Sequence, residues 1–201
     1  MYLNGLLYKQ LRQPTKPLKV HLGCGQKNYI PGWVNVDANR FTAKIDLWAD
    51  FERRLPFRDR SVNSFYSFHV IEHFADASLP RHFQEMYRAL GSGGVIRVGG
   101  PNIESACAKL LSGDLDWFPT FPDERSSIGG RFANFLFCRN EHLTALTGSY
   151  LEEIAGAAGF SEIKRCLPVK ETNYGFEEVL SFEYEDDYEY PHTVMIEARK
   201  A

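Results

Sequence analysis

The sequence predicts an α/β fold: a mostly parallel sheet with helices on both faces. Three observations predict it. Short apolar segments alternate with stretches of helical periodicity between residues 18 and 198. A Gly-x-Gly turn, Gly23-Cys24-Gly25, directly follows the first of those segments. The chemistry-bearing residues Gly23, Gly25, Asp37, Asp50, His69 and Pro101 each fall just past a predicted strand. In a parallel sheet that placement gathers them at one edge, where ligands bind.

The elements follow in order. Leu18–Leu22 is a strand, set off by Pro14 and Pro17. Trp33–Val36 is the second, and Lys44–Trp48 the third, ending near Asp50. Residues 26–32 are all that separate Gly25 from the second strand, too few for the usual helical crossover of about 10 residues, so a very short helix or a loop is expected there. Leu55-Pro56-Phe57 with Asp59 reads as a turn, Val62–Phe68 as the fourth strand, and His69 to Phe74 as a helix start or loop. Ser78 to Leu90 is a helix: Leu79, Phe83, Met86 and Leu90 share a face, Pro80 sits in the first turn and Gly91 is placed to cap the end. Glu85 and Arg88, one turn apart, read as a pair on its outer face. Val95–Val98 is the fifth strand. Ser149-Tyr150-Leu151-Glu152 has the spacing of a capping box opening a helix that runs to Ala158 and closes at Gly159. Phe160–Pro168 and Thr193–Ala198 are the last strands.

The totals bound the function. The 201 residues read as one domain, 1–201, with 1–17 as an N-terminal cap and 102–148 as an insertion. A net charge of −3 gives no general attraction to nucleic acid or an anionic membrane. No apolar run approaches the ~20 residues that span a bilayer, and residues 1–17 lack the continuous apolar segment of a signal peptide. Cys24, Cys107, Cys138 and Cys166 are scattered without C-x-x-C spacing, which suits reduced thiols and a cytoplasmic location.

Several residue groups carry candidate chemistry. Glycines at 23 and 25 let a ligand approach the backbone, and an acid at 37 is placed to accept hydrogen bonds from a ribose diol. Together they describe a site for a nucleoside-like cofactor. A dinucleotide fingerprint would want a third glycine where Asn28 stands. His69-x-x-Glu72-His73 resembles a reversed zinc-protease order, but that motif needs a long helix and a third ligand, and no metal is expected. His69 at a strand end suits a general base; the alternative is that it shapes the pocket and moves no proton. The insertion is rich in Trp117, Phe118, Phe121, Phe132, Phe135 and Phe137, as a lid over a pocket mouth would be, with Arg131, Asn134 and His142 as its polar contacts. The acid-rich stretch 177–189 reads as a solvated face; the functional alternative is a site for a cationic or polyhydroxyl substrate.

HLGCG at 21–25, VNVD at 34–37, Asp50, LPFRDRSVNSFYSFHVIEHF at 55–74, EMYRALGSGG at 85–94 and LEEIAGAAGF at 151–160 come in an order that resembles the class I S-adenosylmethionine (SAM)-dependent methyltransferases. Within that group the chain is most similar to predicted methyltransferases with a GCG…PGWxNxD pattern, linked to surface-polysaccharide pathways. The resemblance implies a Rossmann-like, seven-stranded sheet with an antiparallel final hairpin and a lid after strand five. It implies SAM as cofactor and S-adenosylhomocysteine as product. His21, Gly23, Cys24 and Gly25 would form the cofactor turn, with the two glycines beneath the methionine part. Asp37 would bind the ribose, Asp50 and Phe51 the adenine, and Phe68 and His69 would border the sulfonium. His142, just before the capped helix, is similarly a second candidate for acid–base work, so His69 and His142 are the catalytic candidates. Where the superfamily usually has an acid and a third glycine, this chain has His21 and Lys27. The implied reaction is methyl transfer to O or N of a small-molecule or sugar acceptor; a homodimer is a further expectation. Two alternatives remain: a non-catalytic SAM-binding or degenerate partner subunit, and a nucleic-acid methyltransferase. The second lacks the Asn/Asp-Pro-Pro-Tyr run, having Ser67-Phe68-His69-Val70 instead.

Overall fold

The computed structural model describes residues 18–51 and 53–201. Its sheet has seven strands in the order β3-β2-β1-β4-β5-β7-β6. They are β1 (Leu18–Leu22), β2 (Val34–Asp37), β3 (Leu47–Trp48), β4 (Val62–Phe68), β5 (Leu90–Pro101), β6 (Phe160–Arg165) and β7 (Thr193–Lys200). β1 pairs in parallel with β2 and β4, β4 with β5, and β2 with β3. Only β7 runs against its neighbours, β5 and β6. The chain order reverses between β1 and β4, which opens a crevice at the carboxyl edge there. The helices are α1 (Leu79–Ala89), α2 (Ile103–Ser112), α3 (Ile128–Phe137) and α4 (Gly148–Ala158).

Alternation along the strands gives the two faces different characters. One is apolar: Val20, Leu22, Val36, Phe65, Ile96, Val98, Ile196 and Ala198 meet Leu79, Phe83 and Met86 of α1 and Leu151, Ile154 and Ala155 of α4. Each Val, Leu, Ile, Phe or Met side chain among them, fully buried, contributes about 1.5–3 kcal/mol. The other face carries buried polar side chains at alternate positions, His21, Asn35, Arg97 and Glu197, beside Tyr66, Val95 and Met195. Among the described residues its cover is the loop 23–33 and the segment 166–183, which includes a 3-10 turn at Glu177–Phe182.

These loops cover the polar face because they have backbone groups to spare. The connection from β1 to β2 is a loop, as its length requires. Ile30 accepts from Trp33 N–H at 3.2 Å across Pro31-Gly32, with Gly32 at φ +86°, a turn that uses proline second and glycine third. The buried Asn35 amide holds the loop: it donates to the Ile30 and Trp33 carbonyls at 2.9 and 3.0 Å and accepts from Ile30 N–H at 2.9 Å. Arg97 does the same for the second segment. Its guanidinium meets Glu183 at 2.6 and 2.8 Å, Glu197 at 2.6 Å and the Glu171 carbonyl at 2.8 Å. Glu183 in turn accepts from Val169 N–H at 2.7 Å, and Glu197 from the N–H groups of Asn173 and Tyr174.

Four local readings are corrected. Gly91 does not cap α1: Leu90 is already extended and begins β5. Thr147, not Ser149, caps α4, accepting from Tyr150 N–H at 3.2 Å, while Glu152 pairs with Arg165 at 2.9 Å. Glu85 and Arg88 do more than decorate a face. Arg88 bonds Glu85, Asp59 and the carbonyls of Leu55 and Phe57, and Glu85 accepts from Leu55 N–H at 2.9 Å, clamping the loop before β4. The stretch 177–189 is only partly solvated, since the Glu183 side chain is wholly buried against Arg97 and that of Glu185 against His192.

Replacing Arg97 by Met leaves two buried carboxylates without their cation. We expect a loss of about 3–5 kcal/mol in urea denaturation; a loss below about 1 kcal/mol would show that the pair is not holding the cover. A second expectation concerns pH. Burial lowers both His21 and His82 to about 4, from 6.5 in the open chain. Between pH 6.5 and 4 the unfolded chain therefore binds protons that the fold does not, so stability is lost as pH falls through that window. Removing one such group, in His82→Leu, should flatten the pH slope of the denaturation midpoint there; an unchanged slope would refute the assignment.

Candidate active site

The carboxyl edge of the sheet is built from strand ends. Gly23 and Gly25, after β1, have φ of +76° and +56°. For Gly23 the reason is internal as well: a Cβ would stand 2.1 Å from Val70 Cγ2. A Cβ on Gly25 would meet nothing within 4 Å, so this glycine opens on space a ligand can enter. Asp37, at the end of β2, accepts from Gly25 N–H at 2.8 Å and from Asn39 N–H at 2.7 Å. The carboxylate thus fixes the turn while keeping lone pairs for a ligand.

The other predicted turn residues face inward. His21 is buried, with Nδ1 3.2 Å from Asn35 Oδ1 and its ring 5.1 Å from Tyr66. Cys24 Sγ donates to the Lys44 carbonyl at 3.3 Å, and burial, with Asp37 nearby, pushes its thiol up to about 12. Phe51 packs in the core beside Phe74 and His82. Asp50 is half-buried, with Arg53 Nε at 3.0 Å.

Past β4 the chain turns sharply. His69 has φ +55°, a left-handed backbone uncommon outside glycine. Its N–H donates to the Gly99 carbonyl at 2.9 Å. Nδ1 lies 3.3 Å from Glu72 Oε1, and Nε2 lies 3.0 Å from Thr193 Oγ1. The ring stacks on Tyr184 at 5.4 Å, and Phe68 meets the same tyrosine edge-on at 5.2 Å.

His69 stands in the wall of a cleft of about 1190 Å³. Insertion residues 116–142 and segment 183–192 supply most of the remaining wall. Trp117, Phe121, Phe135, Tyr184 and Tyr188 give it aromatic surface; Asp116, Glu185, Asp186, Asp187 and Glu189 give it negative charge. No Lys or Arg lines it among the described residues. Of the insertion's predicted polar contacts, Asn134 and His142 reach the cleft. Arg131 instead bonds the carbonyls of Leu115, Phe118 and Arg125, holding the insertion together. His142 is lowered below the ordinary histidine value, chiefly by burial. His192, which sequence reasoning passed over, bridges Glu185 at 3.0 Å and the Trp117 carbonyl at 2.8 Å. Burial would lower it, but the bond to Glu185 wins and raises it. The one signal for it was its place immediately before the last strand.

The two glycines should respond differently to Ala. Gly23→Ala adds a clash to an unfavourable backbone and is expected to cost at least about 2 kcal/mol in urea denaturation, whereas Gly25→Ala, in open space, should cost about 1 kcal/mol. Equal losses would show that Val70 does not impose the first glycine.

Three comparisons bear on this edge. Residues 20–98 match a family model described as a methyltransferase domain. A search of curated proteins finds no match. Among solved structures the fold is similar to a SAM-dependent methyltransferase of Thermotoga maritima, described as a possible histamine N-methyltransferase (TM-score 0.59, 20% identity, covering 100% of this chain and 89% of that one). It is also similar to a SAM-dependent methyltransferase of Archaeoglobus fulgidus (TM-score 0.60, 16% identity, 98% and 93% covered). A third is phosphoethanolamine N-methyltransferase 2 of Haemonchus contortus, in complex with SAM (TM-score 0.55, 13% identity, 99% and 52% covered). At these identities the structural likeness is one of fold. Residues 20–98, spanning β1 to β5, thus match a methyltransferase domain, and the chain shares its fold with these SAM-dependent methyltransferases.

Proposed function

We propose that this enzyme transfers the methyl group of SAM to an oxygen or nitrogen of a small-molecule or sugar acceptor seated in the aromatic, acidic cleft. In this reading Gly23 and Gly25 run beneath the methionine part of the cofactor. Asp37 takes the ribose hydroxyls, Asp50 faces the adenine amino group, and Phe68 and His69 border the sulfonium. His21, Cys24 and Phe51, turned inward, support the turn and the adenine side from behind. The sulfonium makes the methyl electrophilic when SAM is bound. The chain's own part is to align a nucleophile with the methyl–sulfur bond and to exclude water.

The observation that carries the acceptor class is the cleft's lining of acids and aromatic rings without Lys or Arg. Such a wall repels phosphorylated or carboxylated acceptors and suits an amine, through charge and ring faces, or a polyhydroxyl, through carboxylate acceptors. It also disfavours a nucleic-acid backbone. For a hydroxyl acceptor, His69 is placed as base: Glu72 holds Nδ1, and Nε2 is the nitrogen toward Thr193. The helix-free first crossover favours a second reading, a subunit that binds SAM for a partner; it would bind cofactor and turn over no acceptor.

Calorimetry with SAM and S-adenosylhomocysteine tests the cofactor half. We expect micromolar binding that Asp37→Ala weakens at least tenfold, about 1.4 kcal/mol. A folded protein that binds neither would sink the reading. With an acceptor in hand, His69→Ala should lower turnover more than SAM affinity. Equal losses in both would leave His69 as a pocket wall and remove it as a base.

A further inference from the structure

We propose that Glu72, His73 and His142 form a binding site for one divalent transition-metal ion. Each offers a ligand atom, and these atoms all lie within 4.8 Å of one another. The site joins two segments far apart in sequence. Glu72 and His73 belong to the 3-10 turn Ile71–His73 after β4, and His142 follows α3. Backbone bonds fasten the segments: the Glu72 carbonyl accepts from Leu143 N–H at 2.7 Å and Thr144 N–H at 3.2 Å, and Thr144 Oγ1 donates to the Phe74 carbonyl at 2.7 Å.

Both imidazoles are set in the tautomer a metal needs. His73 Nδ1 lies 2.9 Å from the Glu141 carbonyl, and His142 Nδ1 lies 3.2 Å from the Phe135 carbonyl. A carbonyl only accepts, so Nδ1 carries the proton and Nε2 keeps its lone pair on each ring. His73 Nε2 is 3.9 Å from Glu72 Oε1.

Glu72 points the same way. Its side chain is 1% exposed, yet Oε2 has no hydrogen-bond partner among the described residues. Its ion pairs there run only to His69 and His73, with no Lys or Arg. A half-satisfied buried carboxylate is expensive, and a cation beside it removes the cost. Closing 4.8 Å to the roughly 3.4 Å between ligands on 2.1 Å bonds is a matter of side-chain rotation, and the His73 side chain, 41% exposed, has room for it.

Two imidazoles with one carboxylate favour zinc, iron, cobalt or manganese over calcium or magnesium, and leave positions open on the metal. His142 lines the cleft, so those positions would lie toward the acceptor side. A second group, Glu185, Asp186 and His192, fits less well: both ring nitrogens of His192 are engaged, and the Asp186 side chain is 92% exposed. The inference stands on side-chain geometry and is independent of the acceptor reading.

The test is titration of the chelator-treated full chain with Co2+, followed by its visible absorption, and with Zn2+ by calorimetry. One equivalent should bind with micromolar or tighter affinity. His73→Ala and His142→Ala should each weaken it at least tenfold with unchanged circular dichroism, and His192→Ala should not. Glu72→Gln should behave like the histidine variants; should it fail to fold, the two histidine variants carry the test. Absence of binding, binding indifferent to His73→Ala and His142→Ala, or binding lost in His192→Ala would overturn the proposal.

Discussion

A guanidinium without access to water must be neutralised where it stands, and the way Arg97 is neutralised shapes half of the molecule. Its side chain is wholly buried on β5, and so are those of its partners Glu183 and Glu197. One cation and two carboxylates do not balance, so further donors are required. A regular helix has few to give, because its backbone groups are spent on its own ladder. An irregular segment supplies them freely, as Val169, Asn173 and Tyr174 do. The polar face of the sheet and the loops that cover it are thus one physical requirement met from two sides.

That requirement extends to the cleft. Glu183 is the anchor from which Tyr184 to Glu189 continue as wall, and Tyr184 carries the His69 ring. Beside β1, Asn35 on β2 plays the corresponding part, fastening the loop whose glycine turn is oriented by Asp37. The two networks stand on one sheet face. Removing either would disturb a site that contains neither Arg97 nor Asn35.

Most of the frame was legible in the sequence because it rests on local signals. Val62–Phe68 was read with its observed bounds, and the loop after Gly25 followed from chain length alone. What escaped was long-range. The spacing at 149–152 matches a capping box, but Thr147 caps α4 and Glu152 pairs instead with Arg165 on β6. Gly91 looked like a cap because helices end at glycine, yet here β5 begins at once and needs no reversal. The acids of 177–189 resemble a solvated run because Arg97, the partner of Glu183, lies far back in the chain. One signal was present and unused: Arg97 and Glu197, each flanked by apolar residues within a strand, mark a sheet face that must be covered by something polar.

His69 lines the cleft just past β4, and its conformation narrows what it can do. A left-handed backbone in a residue other than glycine costs on the order of 1–3 kcal/mol and persists only when its surroundings over-determine it. Here they do: Gly99 takes the N–H, Glu72 and Thr193 take the ring nitrogens, and Tyr184 takes the ring face. A ring held on every side does not swing to find a proton. If it acts as a base, the acceptor hydroxyl must come to Nε2 and displace Thr193 Oγ1, which sits at the start of β7. Thr193 Oγ1, buried behind the cleft wall, therefore marks the position an acceptor oxygen would have to reach for His69 to serve as its base.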